Sequence, residues 1–172
     1  MLRCFVAGEA LNMKFSITDD NLEAAKARIL LEAVVKLVHT GVKQSFYIRK
    51  MLWAISLYLE CGNYKEGWKT YPRISDAARK IRESGDKNWT KLVTFEHARP
   101  LKQVYDLLQA EGSSLTVDTA VSIIGEYAPV LITREENGLM NKKGFRSKGD
   151  PEVRYQHILL SGFTLRSTPS SV

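Results

Sequence analysis

Residues 20–62 constrain the fold more than any other part of the chain, because they place two helical periodicities back to back with one glycine between them. Asp20-Asn21-Leu22-Glu23 has the form of a capping box, in which a short acceptor side chain caps the first turn and a Glu three residues on reaches back. Leu22, Ala25, Ile29, Ala33, Leu37 and Val38 then recur at helical spacing, and Gly41 supplies the stop. A second helix is expected over about 42–61. Phe46, Tyr47, Met51, Ala54, Ile55 and Tyr58 mark its apolar face, and Trp53, Leu57 and Leu59 carry that face nearly all the way round. A helix with no polar side has to be covered. The second helix is therefore expected at the centre of the molecule, and the short link makes the pair an antiparallel hairpin. Its wide apolar surface suits a core and a contact between copies of the chain equally well.

The remainder reads as shorter pieces. One aromatic turn over 64–71 is stopped by Pro72, and Ser75 caps a helix over 76–83 that ends before Gly85. Residues 92–95 and 129–132 have strand composition. Between them, Pro100 fits the first turn of a helix running to about Gln109, and Thr116 caps another through Tyr127. Thr133-Arg134-Glu135-Glu136 is a further capping box, whose helix ends at Gly144. Residues 145–150 read as a mobile loop, 151–157 as a short helix and 158–165 as a last strand. The expectation is one mainly α (α+β) domain over 1–172. It has an irregular extension (1–18), a helical hairpin (20–63), a basic α+β portion with a two- or three-stranded sheet (64–165) and a flexible tail (166–172). Met13, shortly before the first helix, is an alternative start to Met1.

No run of eighteen apolar residues is present, so no membrane span is expected, and the first fifteen residues lack the form of a signal peptide. Two cysteines, Cys4 and Cys61, suit free thiols of a cytoplasmic protein. The net charge is +6, and residues 65–103, with ten basic and five acidic side chains, supply nearly all of it. Such a concentration suits a surface that meets phosphate. Arg73, Arg79, Lys80 and Arg82 form its centre, and Lys142, Lys143, Arg146 and Lys148 add a second basic group in a glycine-containing loop. A solvated helix face explains the same charges equally well. Trp53, Trp68 and Trp89 suit core positions, with base stacking the alternative for Trp89 beside Lys87 and Lys91. His39 fits a helix C-terminus.

Phosphate loops, nucleophile elbows and paired-cysteine motifs are absent from the sequence. Phe95-Glu96-His97-Ala98-Arg99-Pro100-Leu101, at the exit of a strand, is the stretch with most chemical content. Neighbours on an extended strand face opposite ways, but where the chain turns both can reach one site. There a carboxylate can hold a cation and an imidazole can activate water. The bland alternative is a histidine that packs locally beside a solvated carboxylate.

Glu-His-x-x-Pro-Leu after an apolar strand resembles the first half of the HNH, or ββα-metal, nuclease motif. The resemblance implies a nucleic-acid endonuclease using one divalent metal such as Mg2+ or Mn2+. Glu96 would match the first metal carboxylate and His97 the general base. Asn137 or Asn141 would match the orienting Asn, and His157, or Asp150 in its place, the last ligand. Arg99 or Arg134 would stabilise the phosphate. The Gly-Gly that commonly follows the Pro is absent, a helix stands between the two halves, and no cysteine pairs brace them. With Leu131-Ile132-Thr133-Arg134-Glu135-Glu136-Asn137, Gly144-Phe145-Arg146-Ser147 and Arg154-Tyr155 following that stretch, the C-terminal half is also similar to small uncharacterised bacterial and prophage proteins. Two functions follow: a metal-dependent nuclease, or a non-catalytic binding or inhibitor protein from a mobile element. The second would meet nucleic acid or a protein partner through its basic face, with a homo-oligomer open to either.

Overall fold

A computed structural model of the chain describes residues 15–62, 68–126, 129–149 and 153–155. Residues 1–14 of the expected N-terminal extension, with Cys4 and Met13, the strand at 158–165 and the tail lie outside them, as do Asp150 and His157.

Helix α1 (Leu22–His39) is capped by Asn21, whose side chain accepts from the Ala24 amide at 2.9 Å. The cap thus falls one residue later than the sequence pattern suggests, and Glu23 pairs with Lys26 instead of reaching back. Helix α2 (Phe46–Cys61) starts four residues later than expected, because Ser45 takes the cap by accepting from the Ile48 amide. Such caps are each worth ~1 kcal/mol. The linker before it is tied down from outside: Tyr105 and Gln109 both donate to the Val42 carbonyl. Next come α3 (Asp76–Glu83), strand β1 (Val93–His97), α4 (Leu101–Glu111), α5 (Val117–Gly125), strand β2 (Pro129–Thr133) and α6 (Arg134–Lys142). Pro100 stands just before α4 as its cap rather than inside its first turn.

Helices α1, α2, α4 and α5 bury one core, with Leu31, Val34, Leu52, Ile55, Tyr105 and Leu108 at its centre. Each fully covered aliphatic side chain there contributes ~2 kcal/mol. On its other side α2 sends Leu57 into a second cluster with Trp68, Tyr71, Phe95 and Leu131. This is why α2 is apolar nearly all round: it stands between two cores. Only its first turn departs from that pattern. Phe46 and Tyr47, expected on the buried face, are 58% and 76% exposed.

Strands β1 and β2 form an antiparallel ribbon with Phe95 opposite Leu131 and His97 opposite Pro129. Residues 73–75 add a single parallel bridge on the free edge of β2, through Ser75 N–H to Leu131 O and Leu131 N–H to Arg73 O. The α2 side of the ribbon carries Phe95 and Leu131. The opposite side carries Val130 and Ile132 against Met140 of α6 and Tyr155. Buried Glu136 joins the pieces: its carboxylate accepts from the Ser75 hydroxyl and the Thr133 amide, both at 2.8 Å, while Thr133 caps α6 in return. Among the described residues no helix is long and apolar enough to cross a membrane. Cys61 is half-buried and packs against the second cluster.

Candidate anion-binding cleft

Glu96 and His97 end up on opposite faces of the ribbon. Strand geometry continues through His97, and the chain turns only at Ala98, so the alternation of side chains is not relieved. His97 is buried against α2, with Nε2 at 2.5 Å from Ser56 Oγ. The Ser56 hydroxyl donates to the Trp53 carbonyl at 3.0 Å. Nε2 is therefore the protonated nitrogen and donates to Ser56. Burial, reinforced by the Arg154 guanidinium, holds the imidazole down to about 3. A ring so reluctant to take a proton is a weak base at neutral pH.

Glu96 points the other way and forms an ion pair with Arg154. Burial pushes its carboxyl up, and Arg154 opposes that shift. Arg154, fully buried, also donates to the carbonyls of His97 (2.6 Å) and Ala98 (2.8 Å). One guanidinium therefore ties residues 153–155 to the end of β1.

The other residues matched to the nuclease motif do not gather here. Asn137 is half-buried on α6 without a hydrogen bond to His97, and Asn141 is exposed. Arg99 is half-buried in the turn before α4. Arg134 donates to Lys91 O at 2.7 Å, at the opposite end of the ribbon, roughly 13 Å away at strand spacing. Among the described residues no three His, Cys, Asp or Glu side chains are grouped to hold a metal. A hard cation needs several oxygen ligands, and the Glu96 carboxylate is already engaged by Arg154. The described donors do not fit a divalent cation.

Beside these residues a cleft of about 460 Å3 opens. Phe46, Arg49, Lys50 and Trp53 form one wall; their spacing (i, i+3, i+4, i+7) sets them on one side of α2. Lys50 Nζ lies 5.5 Å from the centre of the Phe46 ring and 5.8 Å from that of Trp53. Pro100, Leu101 and Lys102 form the facing wall, and Arg146 and Ser147 close a third side. Phe95, Glu96 and His97 complete the lining. Four cationic side chains thus face one carboxylate that is itself neutralised by Arg154. Lys102 pairs with Asp106 at 2.6 Å on the surface, a contact worth under ~1 kcal/mol and easily exchanged.

At the centre of the basic segment expected to meet phosphate, two guanidinium groups are engaged by the fold. Arg73 faces Glu60 at 4.0 Å, and Arg82 donates to the Tyr71 carbonyl at 3.0 Å. Arg79 is half-buried, leaving Lys80 exposed. Lys142, Lys143, Arg146 and Lys148 are all exposed, and of them Arg146 lines the cleft. Its loop, expected to be mobile, is anchored by Phe145, which packs on the Met140–Tyr155 cluster. Gly149 allows this with φ +96°, since a Cβ there would stand 2.8 Å from the Phe145 ring. Trp89 packs edge-on near Trp68 at the margin of the core, and His39 bonds through Nε2 to the Leu115 carbonyl at 2.9 Å. Phe46, Arg49, Lys50, Lys102, Ser56 and Arg154 were not legible as site residues, although the helical spacing of the first three marks a basic-aromatic side of α2. Comparison with known protein families, with curated proteins and with solved structures finds no match.

Proposed function

We propose that the protein is a nucleic-acid-binding protein whose cleft takes the phosphate backbone without cutting it. The observation that carries this reading is the convergence of Arg49, Lys50, Lys102 and Arg146 on one cleft whose single carboxylate is paired with Arg154. Arg49 and Arg146 have no acidic partner among the described residues. An acidic protein surface would satisfy the same charges. The aromatic wall formed by Phe46 and Trp53 favours nucleic acid, whose bases have faces to lay against it.

Binding of labelled oligonucleotides, followed by fluorescence anisotropy across a salt series, tests the reading. With four phosphates engaged, log K falls against log salt with a slope of about −3, from ~0.7–0.9 per phosphate. Arg49→Gln with Arg146→Gln lowers the slope by about 1.5. Salt-independent binding, or a slope unchanged in the double variant, would move the contact elsewhere.

A second reading keeps the metal-dependent nuclease. One observation favours it: β1 and β2 pair as an antiparallel ribbon, and α6, which follows β2 directly, packs on both strands, although α4 and α5 stand between the two strands in the chain. Plasmid DNA and structured RNA incubated with Mg2+, Mn2+ or chelator decide it. Chelator-sensitive cutting lost in His97→Ala would establish the nuclease, and equal background from both proteins would leave the binding reading.

A further inference from the structure

We infer that the ligand of this cleft is single-stranded nucleic acid, its bases stacked on the first turn of α2. The inference rests on the nucleic-acid reading above and adds which form is bound. Phe46 and Tyr47 are consecutive and 58% and 76% exposed, although the rest of α2 is the most thoroughly covered helix surface in the fold. Their rings lie edge to face with centres 5.7 Å apart, leaving flat aromatic surface turned to solvent. Lys50 sits over the Phe46 ring at 5.5 Å, so a positive charge for the backbone and an aromatic face for the base stand one helical turn apart. Alternation of cations and aromatic faces is how non-specific single-strand sites are built, because every unpaired base offers a π face.

A duplex hides those faces inside its stack and presents a rod with grooves about 6 and 12 Å wide. Proteins read it by inserting a protruding helix or ribbon. Here the cations line a recess of about 460 Å3, which admits a strand but not a rod. Phe46 lines that recess and Tyr47 packs against Phe46 from outside the lining, so a base leaving the backbone track would land on Phe46 first.

The test compares four labelled probes on the full chain: a dT12 oligonucleotide, an rU12 oligonucleotide, a duplex of the same length, and an abasic twelve-unit oligomer with the same phosphates. Single strands are expected to bind at least about tenfold more tightly than either the duplex or the abasic oligomer. Stacking of even one base supplies that factor. Phe46→Ala with Tyr47→Ala is expected to bring dT12 down to the abasic level, with thermal unfolding unchanged because both side chains are exposed. Equal affinity for dT12, duplex and abasic oligomer would overturn the inference while leaving a phosphate-binding cleft in place. Absence of binding to all four would remove both readings together.

Discussion

The deep lining of the cleft and its rim are built from similar residue types put to opposite use. Below, His97 is bonded to Ser56 and Glu96 is locked to Arg154, each partner arriving from a distant part of the chain. Above, Phe46, Tyr47, Arg49 and Arg146 stand in solvent, and the two arginines lack an acidic partner among the described residues. The residues with the most catalytic appearance are thus held by partners within the protein, and those with the look of ordinary helix surface stand exposed. A buried polar group must be satisfied by the protein itself, whereas an exposed one can wait for something else.

The contrast breaks first at Arg154. Arg154→Leu leaves the Glu96 carboxylate in its site without a counter-charge and is expected to cost roughly 3 kcal/mol. Combining it with Glu96→Gln should recover much of that. Denaturant unfolding measures both, and a single-variant loss below about 1 kcal/mol would mean that the pair is not a brace.

The next largest effect is on pH dependence. The His97 imidazole is held at about 3 in the fold against about 6.5 when unfolded. A depressed pKa contributes stability present above 6.5 and lost as pH falls toward 3. Between pH 6.5 and 5 this removes about 2 kcal/mol. The raised Glu96 carboxyl acts in the opposite sense, favouring the fold as it protonates, so the wild-type curve alone mixes the two. His97→Gln isolates the histidine: unfolding free energies measured across this window should lose their downward slope on acidification. An unchanged slope would show that His97 does not titrate as its burial demands.

Smaller still is Ser56→Ala, which orphans the buried Nε2–H of His97 and is expected to cost about 1–2 kcal/mol. A neutral result would mean that the imidazole finds another acceptor. Least of all on stability are Arg49→Gln and Arg146→Gln at the rim, each within about 0.5 kcal/mol, while their joint effect on oligonucleotide affinity should reach about tenfold at low salt. A rim variant that destabilised the fold and spared binding would invert the comparison.

Much of the helical layer was legible. The Thr133–Glu136 capping box and the Ser75 cap are observed, because each is a local bargain between a side chain and amides three residues away. The α2 core position followed from its all-round apolarity. The cap of α1 slipped from Asp20 to Asn21, since either side chain can accept and only the path of the entering chain chooses. Phe46 and Tyr47 were misplaced in the core because periodicity assigns them to a face without saying where the covering layer ends. Charge counting along Arg73–Arg82 does not see that Glu60 faces one of those guanidinium groups and the Tyr71 carbonyl accepts from another.

By itself the sequence determined the helical majority, the centrality of α2 and the two short strands, all consequences of hydrophobic spacing and local capping that a chain carries along its length. Tertiary structure decided what the polar residues are for. Arg154 lies 58 residues from Glu96, and Ser56 lies 41 from His97. Whether a charge is braced inside or left facing a cleft depends on which distant element arrives beside it, and such meetings have no periodicity to betray them.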